Sequence, residues 1–130
     1  MNDAESIVEL IPRLRRYARA LAGDRTAADD LVHCFLFTAV DKAPEADWQA
    51  FFKATDALPS KIPVVKHVWY SKLGRPMEIN GATRQWGVCM HLAGADARKA
   101  YAAAPYHAEW EAAYFKIREE GTSTFDLQGH

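Results

Sequence analysis

Apolar side chains recur at Ile7, Leu10, Ile11, Leu14, Tyr17, Ala18 and Leu21, a three-and-four spacing that lays one stripe along a helix; Gly23 can take the left-handed turn that stops it. Thr26 with Asp29 three residues on has the form of a helix N-cap, so a second helix is expected to start at Ala27. The far end of that helix is ambiguous. Ala28, Leu31, Val32, Phe35 and Leu36 would continue it, yet His33–Val40, rich in aromatic and β-branched residues, reads equally as a buried strand.

Beyond His33 the pattern changes. Pro44, at a first helical position, opens a helix with Trp48, Phe51, Phe52, Thr55 and Leu58 on one face, stopped by Pro59. Val64–Tyr70 is a second strand, a loop with Gly74, Pro76 and the turn Asn80-Gly81 follows, and Trp86–Leu92 is a third strand. Pro105 removes an N–H and clashes with the preceding turn, so the helix from about Asp96 breaks there and a new one begins. The new helix turns Trp110, Ala113, Tyr114 and Ile117 inward, Gly121 ends it, and Thr122–Leu127 is a last short strand.

With His33–Val40 as a strand the order is βαββαβ, which predicts an α+β, ferredoxin-like antiparallel sheet with its helices on one face. Alternation sends His33, Phe35 and Phe37 to one side of the first strand and Cys34, Leu36 and Thr38 to the other. Both faces are therefore apolar. A second subunit is the simplest cover for the helix-free face, giving a homodimeric α/β barrel preceded by an N-terminal helical extension; the expected boundaries are 1–32 for the extension and 33–130 for the barrel domain.

Composition narrows the function classes. At 130 residues the chain fits one domain able to bury a core without staples. Cys34 and Cys89 lie in apolar strand-like runs, not in a CxxC pair, and are expected as buried thiols in a reducing cytoplasm. There is neither a bilayer-spanning run nor an export signal at Met1. Net charge is −1, with five Arg against six acids up to Val32 and eleven basic against eleven acidic groups after it, so no field draws a phosphate backbone and no nucleic-acid partner is expected. Arg13, Arg15, Arg16 and Arg19 read as a solvated helix face. His67 and His91 complete no ligand set, and no metal is expected.

The densest chemistry is Tyr101-Ala-Ala-Ala-Pro105-Tyr-His107. On an unbroken helix Tyr101 and His107 would point to nearly opposite sides, whereas a break at Pro105 lets both face one cavity. Imidazole titrates near about pH 6.5, so a histidine can take a proton from carbon next to a carbonyl, a step worth roughly 10² to 10⁴ in rate, while a phenol donates to the enolate oxygen. That chemistry needs no cofactor. Phe51, Phe52, Trp86 and Trp110 serve as core or as the apolar lining of a ligand pocket.

Two resemblances sharpen this. Leu10–Val32 is similar to the opening of region 2 of extracytoplasmic-function sigma factors, but stops before the parts that carry that family's activity. From His33 to about Gln128 the chain resembles the stress-responsive A/B barrel (Dabb) family through the opening His33-Cys-Phe-Leu-Phe, Leu58-Pro59, Ile62-Pro63 and Tyr101-x-x-x-Pro105-x-His107. The Dabb resemblance implies a homodimeric ferredoxin-like barrel. Its plant polyketide-cyclase branch further implies His107 as the acid/base group, Tyr101 as its hydroxyl partner and His33 on the cavity wall. Ala104 stands where the family often has histidine, and Thr55 where the cyclases have tyrosine.

Three functions fit: a stress-related protein binding a small apolar or carbonyl-containing molecule; a cofactor-free cyclase-like or monooxygenase-like enzyme using His107 and Tyr101; or a non-catalytic module docking a partner through its N-terminal helix.

Overall fold

The computed structural model describes residues 29–128, together with Pro12 and Arg16. Its elements run β1 (Leu31–Phe37), α1 (Glu45–Asp56), α2 (Leu58–Lys61), β2 (Val65–Ile79), β3 (Ala82–Leu92), α3 (Ala97–Ala103), α4 (Pro105–Ile117) and β4 (Ser123–Gln128). The strands form one antiparallel sheet in the order β2-β3-β1-β4, the ferredoxin-like arrangement expected. The helix expected over Ile7–Leu21 and the start at Ala27 lie outside the described residues, except for Pro12 and Arg16, both helical and both exposed. Among the described residues no helix is long and apolar enough to cross a membrane.

β1 resolves the ambiguity of the sequence in favour of a strand. It is central, with Leu31 opposite Leu92 of β3 on one side and Gln128 of β4 on the other, so its backbone groups are paired along both edges. The strand runs from Leu31 to Phe37, where His33–Val40 was expected, and the chain beyond keeps only a bridge from Ala39 to Arg118.

Phe35 and Phe37 point to the helices and pack with Phe51, Leu58, Val88, Met90, Trp110, Tyr114 and Ile117. Burying a side chain of this size contributes roughly 1.5–3 kcal/mol. Trp110 Nε1 donates to Thr55 Oγ1 at 3.0 Å inside this core, and Tyr106 Oη donates to the Ala54 carbonyl at 3.0 Å, so two bonds fix α4 on α1.

Val32, Cys34, Leu36, Leu73 and Cys89 form a second cluster on the opposite face, at 0–5% exposure. Here the structure corrects the expectation of separate thiols. Cys34 and Cys89 are direct partners across β1 and β3, with Cα atoms 4.1 Å apart, and they form a disulfide. Such close spacing belongs to the non-hydrogen-bonded sites of an antiparallel ladder, and a reducing compartment does not favour the bond.

The other departures are local. The loop expected around Gly74 and Pro76 is part of one long hairpin. β2 continues to Ile79, with an irregularity between Lys72 and Met77 that absorbs the glycine and the proline, and Asn80 and Gly81 turn the chain with φ of 50° and 82°. Pro44 caps α1 instead of opening its first turn, and α1 already ends at Asp56. Pro59 lies in the first turn of α2, where its missing N–H leaves no bond unmade.

Candidate functional site

Ala104 interrupts the helical run with φ −66° and ψ 137°, an extended conformation favoured before proline, so α3 ends at Ala103 and α4 restarts at Pro105. This break brings the two rings of the motif together. The Tyr101 and His107 rings meet edge to face with centroids 4.7 Å apart, and Trp110, one turn further along α4, lies 5.9 Å from His107.

β1 supplies the third ring. His33 shares the helix-facing side with Phe35, and its ring lies 6.3 Å from that of Tyr101. Its register partner on β4 is Asp126, whose Oδ1 stands 2.6 Å from His33 Nδ1. A carboxylate accepts, so Nδ1 carries the proton of this bond. The second carboxylate oxygen accepts from Arg98 Nη1 at 2.9 Å, which ties α3 to β4. On α4, Glu111 Oε1 lies 3.4 Å from His107 Nδ1, one helical turn away.

The environment sets the state of the phenol. Tyr101 is 6% exposed, and burial, reinforced by the Glu111 carboxylate, pushes its ionisation well above the ordinary tyrosine value of 10. It is therefore a neutral donor at physiological pH. The corner thus combines one buried O–H donor, two imidazoles and a carboxylate that fixes one of them.

The aromatic candidates separate. Trp110 belongs to this corner. Phe51 is fully buried in the core between the two ends of the helical layer. Phe52 and Trp86 sit in another group, where Trp86 lies 4.9 Å from Trp48 and Phe52 stacks on Tyr70 at 5.5 Å. A cavity of about 520 Å³ opens beside Trp86, with Thr38, Asp41, Lys72, Gln85 and Glu119 on its walls. Neither Tyr101 nor His107 lines that cavity. Thr38 is five strand positions beyond His33, a separation of roughly 16 Å. His91, weighed as a metal ligand, is buried with Nε2 2.8 Å from Asp30 Oδ2, while Asp30 Oδ1 accepts the Gly94 N–H at 2.7 Å.

Asp126 and Arg98 went unnoticed in the sequence. The available signal was the antiparallel placement of the last strand beside the first, which sets a carboxylate opposite a histidine once the register is known.

A family model described as the sigma2 domain of PhyR matches residues 7–55. That span continues past Val32 through β1 and into α1, both parts of the sheet-and-helix unit. No curated protein matches the chain in sequence. Among solved structures, a Dabb family protein with a ferredoxin-like fold from Mesorhizobium loti superposes with a TM-score of 0.56 at 17% identity, over 75% of this chain and 94% of that one. A dimeric ferredoxin-like protein from Bacteroides fragilis gives 0.59 at 22% identity, over 77% and 96%. The hydroxynitrile lyase of Passiflora edulis gives 0.63 at 10% identity, over 77% and 93%. At these identities the likeness is one of fold, and that fold is the ferredoxin-like one of Dabb and other dimeric proteins.

Proposed function

We propose that residues 33–130 form a Dabb-type domain, with residues 1–32 as an extension, and that it takes a small apolar or carbonyl-containing molecule at the corner of Tyr101, His107 and His33. The observation that carries this reading is the edge-on contact of Tyr101 with His107 at 4.7 Å, with the His33 ring beyond the phenol and Asp126 behind it. A buried phenol that stays protonated suits a carbonyl oxygen. Its O–H hydrogen-bonds the oxygen as negative charge builds there, and an adjacent imidazole nitrogen takes the proton leaving the α-carbon. The C–H electron pair moves into the enolate, and returning the proton restores both groups.

The domain is read as half of a homodimer in which the helix-free sheet faces meet. The apolar cluster on that face and the dimeric state of several fold neighbours support this. An enzymatic role is the second reading, favoured by the donor–base pairing and by the presence of a lyase among those neighbours.

The test is exchange of α-protons of simple β-diketones into deuterated water, followed by proton NMR. Wild-type protein is expected to exceed buffer, His107→Ala to lose about a hundredfold or more, and Tyr101→Phe to lose less. Exchange no faster than in buffer for every ketone tried, together with no chemical-shift change of the His107 or Tyr101 rings on adding them, would end the reading.

A further inference from the structure

At the far end of the layer from His33, two arginines have no carboxylate partner among the described residues. Arg84 on β3 is only 8% exposed, and what holds it is neutral: Nε donates to Ser123 Oγ at 3.0 Å and Nη1 to Thr38 Oγ1 at 3.1 Å. A guanidinium presents five N–H donors and does not give up its proton, so Arg84 keeps a full charge, with Nη2 and one N–H of Nη1 unbonded among the described residues. A nearly buried charge of this kind is costly unless an anion answers it.

Arg118, at the end of α4, is tied to the residue next to Ser123. Its Nη1 donates to Thr122 Oγ1 at 2.9 Å, the oxygen that also lies 2.8 Å from Tyr114 Oη, and its guanidinium covers the rings of Tyr114 and Phe115 at 5.0 and 4.4 Å. Burial raises the Tyr114 phenol to about 12 against the pull of Arg118 and, more weakly, of Arg84, so both cations act on one point. The negative end of α4 offsets about half a charge. Glu119 and Glu120 are exposed, and among the described residues neither pairs with either arginine, so this end keeps a positive surplus.

The approach lies over Gly121. That residue turns the chain between α4 and β4 with φ of 107°, and a Cβ built on it would meet only Arg84 Nη2, at 3.6 Å, within 4 Å. Arg118, Gly121, Thr122 and Ser123 are all half-buried, so they border the surface.

We propose that Arg84 and Arg118, with the hydroxyls of Thr122 and Ser123, bind a phosphate dianion, free or as the monoester of a small molecule. Two guanidiniums match its double charge, and their spare N–H groups suit an ion with more acceptor oxygens than a carboxylate has. The site is separate from the corner of Tyr101 and His107. Trp110 and Tyr114, stacked at 4.8 Å, stand between the two ends with Phe35, whose ring lies 5.6 and 5.4 Å from theirs. The two ends therefore take separate ligands, and phosphate binding is independent of the carbonyl reading.

The experiment titrates the full chain with sodium phosphate, and separately with methyl phosphate, at about pH 8, where both are largely dianions, and follows the backbone amides of residues 121–123 by NMR. The expected result is a saturable shift, half complete at or below about 1 mM. Arg84→Lys, which keeps the charge and loses the fork, and Arg118→Gln should each weaken it at least about tenfold, and the exposed Lys116→Gln less than about twofold. The tighter of the two probes is the form the site holds. No saturable shift by about 20 mM of either, or acetate bound as tightly, overturns the inference. So does binding that both arginine variants leave unchanged, or that Lys116→Gln weakens as much, because the anion then sits elsewhere. Should Arg84→Lys fail to fold, Ser123→Ala, which frees Nε from its anchor, replaces it with the same readout.

Discussion

His33 and Asp126 stand directly opposite each other on β1 and β4, with the imidazole Nδ1 2.6 Å from the carboxylate. Asp126→Ala leaves a nearly buried N–H without its acceptor and is expected to cost about 1–3 kcal/mol. Arg98, bonded to the other carboxylate oxygen, is 58% exposed, and water screens its pairing, so Arg98→Ala should cost less than about 1 kcal/mol. Urea denaturation of the two variants checks this. Equal costs would mean that the histidine is not the partner that matters.

Thr55 is the sole acceptor among the described residues for the Trp110 indole N–H, and the bond is buried. Thr55→Val keeps the shape and removes the oxygen. The expected loss is about 1–3 kcal/mol, again by urea denaturation, because the indole N–H then has no partner and no water. A change below about 0.5 kcal/mol would show that the N–H finds another acceptor.

Alkaline pH should unfold the protein through its buried phenols. Burial raises Tyr114 to about 12 and Tyr101 higher still, and burial with the Asp56 carboxylate nearby raises Tyr70 to about 12. Each folded value lies above the unfolded one, so the folded state keeps protons that the unfolded chain gives up. Stability from this source is complete below about pH 10 and is lost as pH climbs toward and through the folded values, by at most roughly 1.4 kcal/mol per pH unit for each of the buried phenols Tyr101 and Tyr114 and by less for the partly exposed Tyr70, which water screens. Denaturation at pH 9 and pH 11, with phenolate absorbance recorded alongside, measures it. Phenolate formation by Tyr101 near pH 10 without unfolding would contradict the burial argument.

The Cys34–Cys89 bond closes 55 residues of sequence separation, and in the chain-entropy account such a loop is worth roughly 4 kcal/mol. Thermal unfolding with and without reductant, on protein unfolded once to expose the bond, should therefore differ by many degrees. The Cys34→Ala/Cys89→Ala variant should behave as the reduced protein does, less a small further loss for the missing sulfur atoms. Indifference to reductant would mean that the two sulfurs are not joined in solution.

Much of the architecture was legible because most elements carry their own period. The three-and-four spacing from Trp48 to Thr55 holds locally, whatever the rest of the chain does, whereas His33–Phe37, apolar on both faces, fits helix and strand alike until its two partner strands are known. Pro105 was legible for the same reason, since a ring without an N–H acts on its own turn. What escaped depends on register. The Cys34–Cys89 bond, the carboxylate behind His33 and the extension of β2 through Gly74 and Pro76 all follow from which residue faces which across two strands. No window along one strand contains that information. The separation of Trp86 from Trp110 was hidden likewise, because both carry the apolar character of a pocket wall and only the fold places them at different ends of the layer.

The irregular stretch of β2 between Lys72 and Met77 bears on how copies of this chain can meet at high concentration. β2 is an outer strand, and an outer strand normally offers a free row of N–H and C=O groups on which a foreign strand can grow. Pro76 interrupts that row with a residue that has no hydrogen to give, the skipped register around it bends the strand, and the exposed ammonium groups of Lys66 and Lys72 repel a like copy. Side-by-side growth into a continuous ribbon is thereby blocked on the β2 flank. The long hairpin can project from the body without becoming a seed for fibres.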